Sequence, residues 1–340
     1  MMRGASIASA VAPAGVATAF ASTSALAQTA AKIDPADTAW MISATALVLM
    51  MTIPGLALFY AGMVRKKNVL ATMAQSLAAT ALCSILWVGL GYTLVFGGDA
   101  PLLGTLDRVL LRGMGVDAIS PFAKTIPEAL FMLYHMAFAV ITVALVAGSV
   151  ADRMRFSAFL SFAALWLLMV YVPIAHWVWG GGFLAAAGML DFAGGTVVHL
   201  NAGVAGLVAA IVLGARRGYG SENFAPYDLS LAVIGTGLLW VGWFGFNGGS
   251  ALAANSRAVF AILATHLAAS TGALTWMALE WWTRGQTIRA RHDLRRGGRA
   301  RHHHAGLRFR AALARRDHRV SRWRGLFLEL HQAQAVLGLR

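Results

Sequence analysis

Apolar positions run along this chain in seven long, nearly unbroken blocks, at about residues 40–64, 69–96, 127–150, 156–178, 197–213, 229–246 and 258–282. Each is close to the roughly 20 residues that an α-helix needs to cross the hydrocarbon of a bilayer. Charged residues stand between the blocks and hardly within them, so the pattern predicts an all-α, polytopic membrane helical bundle. The blocks are rich in glycine, as at Gly203, Gly206, Gly235, Gly237, Gly242 and Gly245. Small residues let helix backbones approach closely in lipid, where packing replaces the hydrophobic effect as the attraction. Pro54 and Pro173 fall inside blocks and are expected as kinks or helix ends.

The polar segments alternate in sign. Basic residues follow the first block (Arg65, Lys66, Lys67), the third (Arg153, Arg155), the fifth (Arg216, Arg217) and the seventh (Arg284). The segments after the second and sixth are longer or mixed, with Asp99, Asp107, Asp117 and Arg257. By the positive-inside rule this alternation places the N-terminus outside. Upstream, Arg3, an Ala-rich run and Ala25-Leu26-Ala27 read as a secretory signal peptide over residues 1–27, cleaved before Gln28. A first membrane anchor is the weaker alternative, because Pro13, Ser22, Thr23 and Ser24 interrupt the run.

Composition removes the soluble classes: 58% of the 340 residues are hydrophobic and only 12% charged, against about 25% charged in soluble domains. The net charge of +14 is unevenly placed. Residues 284–340 hold 15 Arg, no Lys and 3 acidic residues, a net of +12, which leaves +2 for residues 1–283. The single cysteine, Cys83, cannot form an internal disulfide. The hydrophobic part carries no nucleotide-binding motif or metal-ligand spacing, so no enzyme, cofactor or metal site is expected. The organisation is thus a signal peptide at 1–27, a membrane domain at 28–283 and an Arg-rich tail at 284–340.

Chemistry concentrates in Asp191-Phe-Ala-Gly-Gly-Thr-Val-Val-His199-Leu-Asn201, where an acid and an imidazole enter an apolar, small-residue helix. Ionisable groups at membrane depth are costly, and mark pathways or substrate sites unless they are satisfied core groups. Asp191 suits a helix-entry position, accepting from free backbone N–H groups. A second cluster is aromatic: Trp177-Val-Trp179-Gly-Gly-Gly, and Trp240 through Trp243, Phe244 and Phe246 to Ser250. Tryptophans here serve as interfacial anchors or as π-faces for a small cation. A hydroxyl acceptor such as Ser250 would suit ammonium, which donates hydrogen bonds in every direction.

Several stretches resemble the ammonium transporter family (the Amt/MEP/Rh group), of the bacterial type. They are Thr52-Ile-Pro-Gly-Leu-Ala-Leu-Phe-Tyr60-Ala-Gly-Met-Val-Arg-Lys-Lys-Asn68, Ala151-Asp-Arg-Met-Arg-Phe-Ser157, Pro173-Ile-Ala-His176-Trp-Val-Trp179, the Asp191 segment and Trp243-Phe-Gly-Phe-Asn247. The likeness runs in order from about residue 40 to 284. It implies that Trp179, Ser250 and Phe138 bind ammonium at an outer site. Phe246 would be a gate ring below, His199 a pore histidine with Trp243 nearby, and Asp191 the organiser of the site. It further implies a bacterial inner (plasma) membrane protein that serves nitrogen uptake, forms a homotrimer and meets a cytoplasmic PII-type regulator; nucleic acid is not an expected partner. Neutral ammonia crosses hydrocarbon far more cheaply than a hydrated cation, so a hydrophobic pore behind a cation site is physically coherent.

Two departures stand out. Between His135 and Ile-Thr142 the chain has one phenylalanine, Phe138, where the family has two spaced by four. About four residues are therefore expected to be missing, setting Phe138 roughly one turn, about 6 Å, from its height in the family. The likeness also ends after the seventh block, whereas the family has eleven helices, and the second pore histidine belongs to the later part. In the tail, Arg301-His-His-His-Ala-Gly-Leu-Arg-Phe309 re-reads with plausible codons and a one-base shift as Val-Thr-Ile-Thr-Pro-Ala-Cys-Gly-Phe, which looks like the family's eighth-helix region. A frameshift near residues 284–290 is expected, in preference to a nucleic-acid arm, an anionic-lipid patch or a triple-histidine metal site. The expected function is ammonium transport, impaired in the chain as it stands. The alternatives are a non-functional fragment or a membrane ammonium sensor.

Overall fold

The computed structural model describes residues 31–222 and 224–284. The expected signal peptide and the Arg-rich segment after Arg284 lie outside these residues. Among the described residues, seven helices are long and apolar enough to cross a membrane: α1 Pro35–Met63, α2 Lys66–Phe96, α3 Glu128–Val150, α4 Phe156–Ala186, α5 Gly195–Leu213, α6 Leu229–Gly248 and α7 Ser256–Thr283. α1 begins before its apolar block because Asp34 caps it, accepting from the Ala36 and Asp37 amides at 2.8 and 2.9 Å, with Pro35 in the first turn.

The prolines do not end helices. Pro54 sits within a π-helical turn, Met51–Leu56, and α1 continues to Met63. Pro173 follows a second such turn, Leu167–Tyr171, inside α4. Widened turns absorb the ring that would otherwise clash with the preceding carbonyl. Further π-helical turns open α5 at Gly195–Leu200 and close α6 at Phe244–Gly248, and such turns are frequent at functional sites.

α3 forms the centre of the bundle: 78% of its most apolar stretch is buried, against 22% for α5 and 6% for α7. Glycine brings the backbones of α1 and α6 together at Gly235, where a Cβ would lie 2.6 Å from the Gly55 carbonyl oxygen. Gly206, Gly242 and Gly245 also meet neighbouring helices, whereas Gly203 and Gly237 have no described atom within 4 Å of such a Cβ. Large apolar side chains on α5 to α7 lie open, including Ile211, Val233 and Trp276.

Connections alternate between two ends. At the first, the α2–α3 connection carries a small antiparallel hairpin, β1 Ile119–Ser120 with β2 Ala123–Pro127, an addition to the expected all-helical plan. Its outer edge is occupied, since Lys32 and Asp34 amides donate to Lys124 and Thr125 carbonyls at 3.0 and 2.8 Å. At the opposite, basic end, the buried Asp152 carboxylate gathers three connections. It accepts from Asn68 and pairs with Arg65 at 3.3 Å and Arg216 at 3.6 Å.

Candidate functional site

At the hairpin end a cavity of about 170 Å³ opens between α3, α4 and the carboxyl end of α6. Its floor is Phe138 of α3, backed by Phe246 of α6: the two rings stack with centroids 4.1 Å apart and planes 23° from parallel. Trp179 of α4 stands edge-on to Phe138 at 5.9 Å and to His135 at 5.7 Å. Phe138 thus faces Phe246, and is not set one turn away as the spacing argument expected. Tyr134, four residues before Phe138 and one turn along the same face, supplies the second ring at a centroid distance of 4.9 Å.

Two hydroxyls form the polar wall. Ser250 Oγ donates to the Phe246 carbonyl at 2.8 Å. Tyr134 Oη lies 3.0 Å from the Gly245 carbonyl, 2.8 Å from that of Phe246 and 3.3 Å from Ser250 Oγ. Gly249 makes room for this, since a Cβ there would fall 2.7 Å from Tyr134 Oη.

Asp191 joins the cavity wall to α5. Its Oδ1 accepts from the Gly194 and Gly195 amides at 2.7 Å, and its Oδ2 from Thr196 and Val197 at 2.9 Å. These are the amides that a helix start leaves unpaired, beside the positive end of its dipole. Gly194 has φ +88°, a conformation that needs no Cβ and that aims the amides back at the carboxylate. The Asp191 carbonyl accepts from Trp179 Nε1 at 2.8 Å, so one residue both closes the helix and fixes the indole.

His199 lies past the floor on α5, with Nδ1 3.1 Å from the Gly194 carbonyl. Its ring packs against Trp243 at 5.6 Å and edge-on to Phe246 at 5.7 Å. Trp179, Ser250, Phe138 and Asp191 therefore meet at the cavity, while His199 and Trp243 gather on the far side of Phe246. Trp240 and Trp177 belong to neither group: their indoles donate to His266 at 3.3 Å and to the Leu102 carbonyl at 2.8 Å. His176 is buried, its ring nitrogens 2.6 Å from the carbonyls of Val95 and Ala100, pinning α4 to the segment after α2.

An aromatic cage with hydroxyl oxygens is chemistry that suits a small cation. A family model, the Ammonium Transporter Family, matches residues 39–290. The chain belongs to this family. It is 49% identical over 252 residues to an ammonium transporter of Aquifex aeolicus, covering 74% of this chain and 58% of that one. The crystal structure of Candida albicans Mep2 superposes with a TM-score of 0.69 at 40% identity, over 75% of this chain and 57% of Mep2. A structure titled Sensor Amt Protein matches with a TM-score of 0.68 at 28% identity, over 74% of this chain and 63% of its own. This ammonium-transporter-family chain thus spans somewhat under two thirds of the relatives it matches, as a multi-pass membrane protein of seven described spans.

Sequence reasoning passed over Tyr134, His135, Phe131 and Phe96, which line the cavity. Their signal was present in the i, i+4, i+7 spacing of Phe131, His135 and Phe138 on one helix face. A long, mostly apolar block hides that face, since aromatic and aliphatic positions in it read alike.

Proposed function

We propose that this chain recognises ammonium in the cavity at the hairpin end and delivers ammonia, with the proton carried separately, past the Phe138–Phe246 floor towards His199. The observation that carries the reading is the convergence of the Phe138 and Trp179 rings with the Ser250 hydroxyl at one cavity, where Phe138 is itself stacked on Phe246. Indole faces attract cations, and hydroxyl oxygens accept from N–H donors. The closed apolar floor resists a charged ion more strongly than neutral ammonia. In this reading the hairpin end faces outside and the Arg65–Asp152 end the cytoplasm. A homotrimer that meets a PII-type regulator on the basic face belongs to the same proposal.

The test is ammonium- or methylammonium-dependent uptake or current in a host lacking such transporters, together with ammonium binding by the purified chain in nanodiscs. Saturable binding and uptake, both reduced in Trp179→Leu, are the expected results. The likeness to a structure titled as a sensor favours a second reading, in which ammonium binding with no flux reports on its concentration. Absence of binding would sink both.

A further inference from the structure

We propose that the Tyr134 hydroxyl is a second hydrogen-bond acceptor for the bound cation, beside Ser250, and that the pair makes the cavity favour ions carrying N–H donors. This deepens the cation-site reading above and rests on it. The last carbonyls of a helix run out of intrahelical partners, and Phe246 lies in the last turn of α6, which ends at Gly248, while the Gly245 carbonyl also accepts from the Gly249 amide. Ser250 Oγ donates its one hydrogen to the Phe246 carbonyl at 2.8 Å. Tyr134 Oη, also with one hydrogen, is 2.8 and 3.0 Å from the Phe246 and Gly245 carbonyls.

In the 3.3 Å contact between Tyr134 Oη and Ser250 Oγ either hydroxyl can donate, but with both hydrogens held on the Phe246 carbonyl at 2.8 Å the two oxygens face each other as acceptors. Both residues line the same cavity, and Tyr134 is only 1% exposed. Two oxygens that have given up their hydrogens complement a donor lying between them. An ammonium ion there gives one N–H to each oxygen and turns its remaining surface to the rings of Phe138 and Trp179. A bare alkali cation has the rings but needs more oxygen ligands than two hydroxyls supply. Tyr134 thereby reads the hydrogens of the ion, while the aromatic rings read its charge.

The test compares ammonium chloride with caesium chloride, a cation of similar charge without N–H groups, by calorimetry on the purified full chain in nanodiscs. Tyr134→Phe keeps the ring and removes the oxygen. Ammonium affinity is expected to fall tenfold or more, the scale of one hydrogen bond to a charged group, or about 1.4 kcal/mol per tenfold. Caesium affinity should change less than about twofold by the same scale, since the π-faces remain. Should Tyr134→Phe fail to fold, 3-fluorotyrosine at position 134 weakens the acceptor within the native shape and should weaken ammonium binding alone. Equal losses for both ions would make Tyr134 a support for the end of α6 only and overturn the proposal. Unchanged ammonium binding would do the same, and a wild-type chain that binds no ammonium would remove the cation site itself.

Discussion

Phe138 and Phe246 lie face to face, 4.1 Å between centroids, although they belong to helices that the chain reaches far apart. Both are almost fully buried, so the stack closes the cavity from the helices beyond and locks α3 to α6. Stacked aromatic pairs contribute about 0.5–1.5 kcal/mol beyond their burial. Phe138→Leu should therefore cost about that much, and Phe138→Ala about 3–5 kcal/mol through the void it leaves. Denaturant unfolding of the purified protein in one detergent would rank them. An alanine variant as stable as the leucine one would mean that the stack closes nothing.

The rings and the imidazole should separate in a binding experiment. Cation–π attraction contributes about 0.5–2 kcal/mol, the larger value applying to a desolvated ion. Trp179→Leu should then weaken apparent ammonium affinity by up to about thirtyfold. His199→Ala should leave that affinity nearly unchanged and alter conduction, because His199 lies past Phe246 from the cavity. Half-saturation measured per folded protein decides between this and an anchoring role, in which the tryptophan variant would lose yield and keep its affinity.

Much of this arrangement is legible in the sequence. The seven blocks locate the seven helices because an apolar run of membrane length has few other solutions. The Asp191 segment announces its helix start, since the acid precedes Gly194-Gly195 and its amides are free to point back at it. Side-chain direction within buried helices is harder to read. α3 is apolar on every face, so nothing in its composition says that Tyr134, and not a later residue, completes the ring pair with Phe138. The hairpin escapes for another reason: two short strands pair through backbone groups, partly with Lys32 and Asp34 far upstream, and leave no periodicity of their own.

Asp191 should be central to stability as well as to the site. It accepts from four amides at 2.7–2.9 Å, and hydrogen bonds to a charged group contribute about 1.5–3 kcal/mol each at most. Asparagine keeps one acceptor oxygen but turns an amino group towards amides that also donate. Asp191→Asn should lower the melting temperature clearly and loosen Trp179, whose indole is held by the same residue. Asp191→Glu places the carboxylate one methylene further on and should recover only part of the loss. Thermal scans with intrinsic tryptophan fluorescence would follow both effects, and an asparagine variant with wild-type stability would contradict this account.

Two glycines of α6, two residues apart, give a matched test of close packing. A methyl group at Gly235 would meet the backbone of α1, including the Gly55 carbonyl oxygen at 2.6 Å, whereas one at Gly237 meets no described atom within 4 Å. Both positions are helical, so alanine brings the same gain in helix preference, about 0.5–1 kcal/mol. At Gly235 that gain is opposed by pushing α1 from α6, an overpacking cost of about 1–3 kcal/mol or more. Gly235→Ala should therefore lower the melting temperature and the yield of folded protein, while Gly237→Ala should hold or raise both. Equal behaviour of the two variants would show that α1 and α6 do not depend on backbone contact at Gly235, and the helices would then have to be held by their side chains alone.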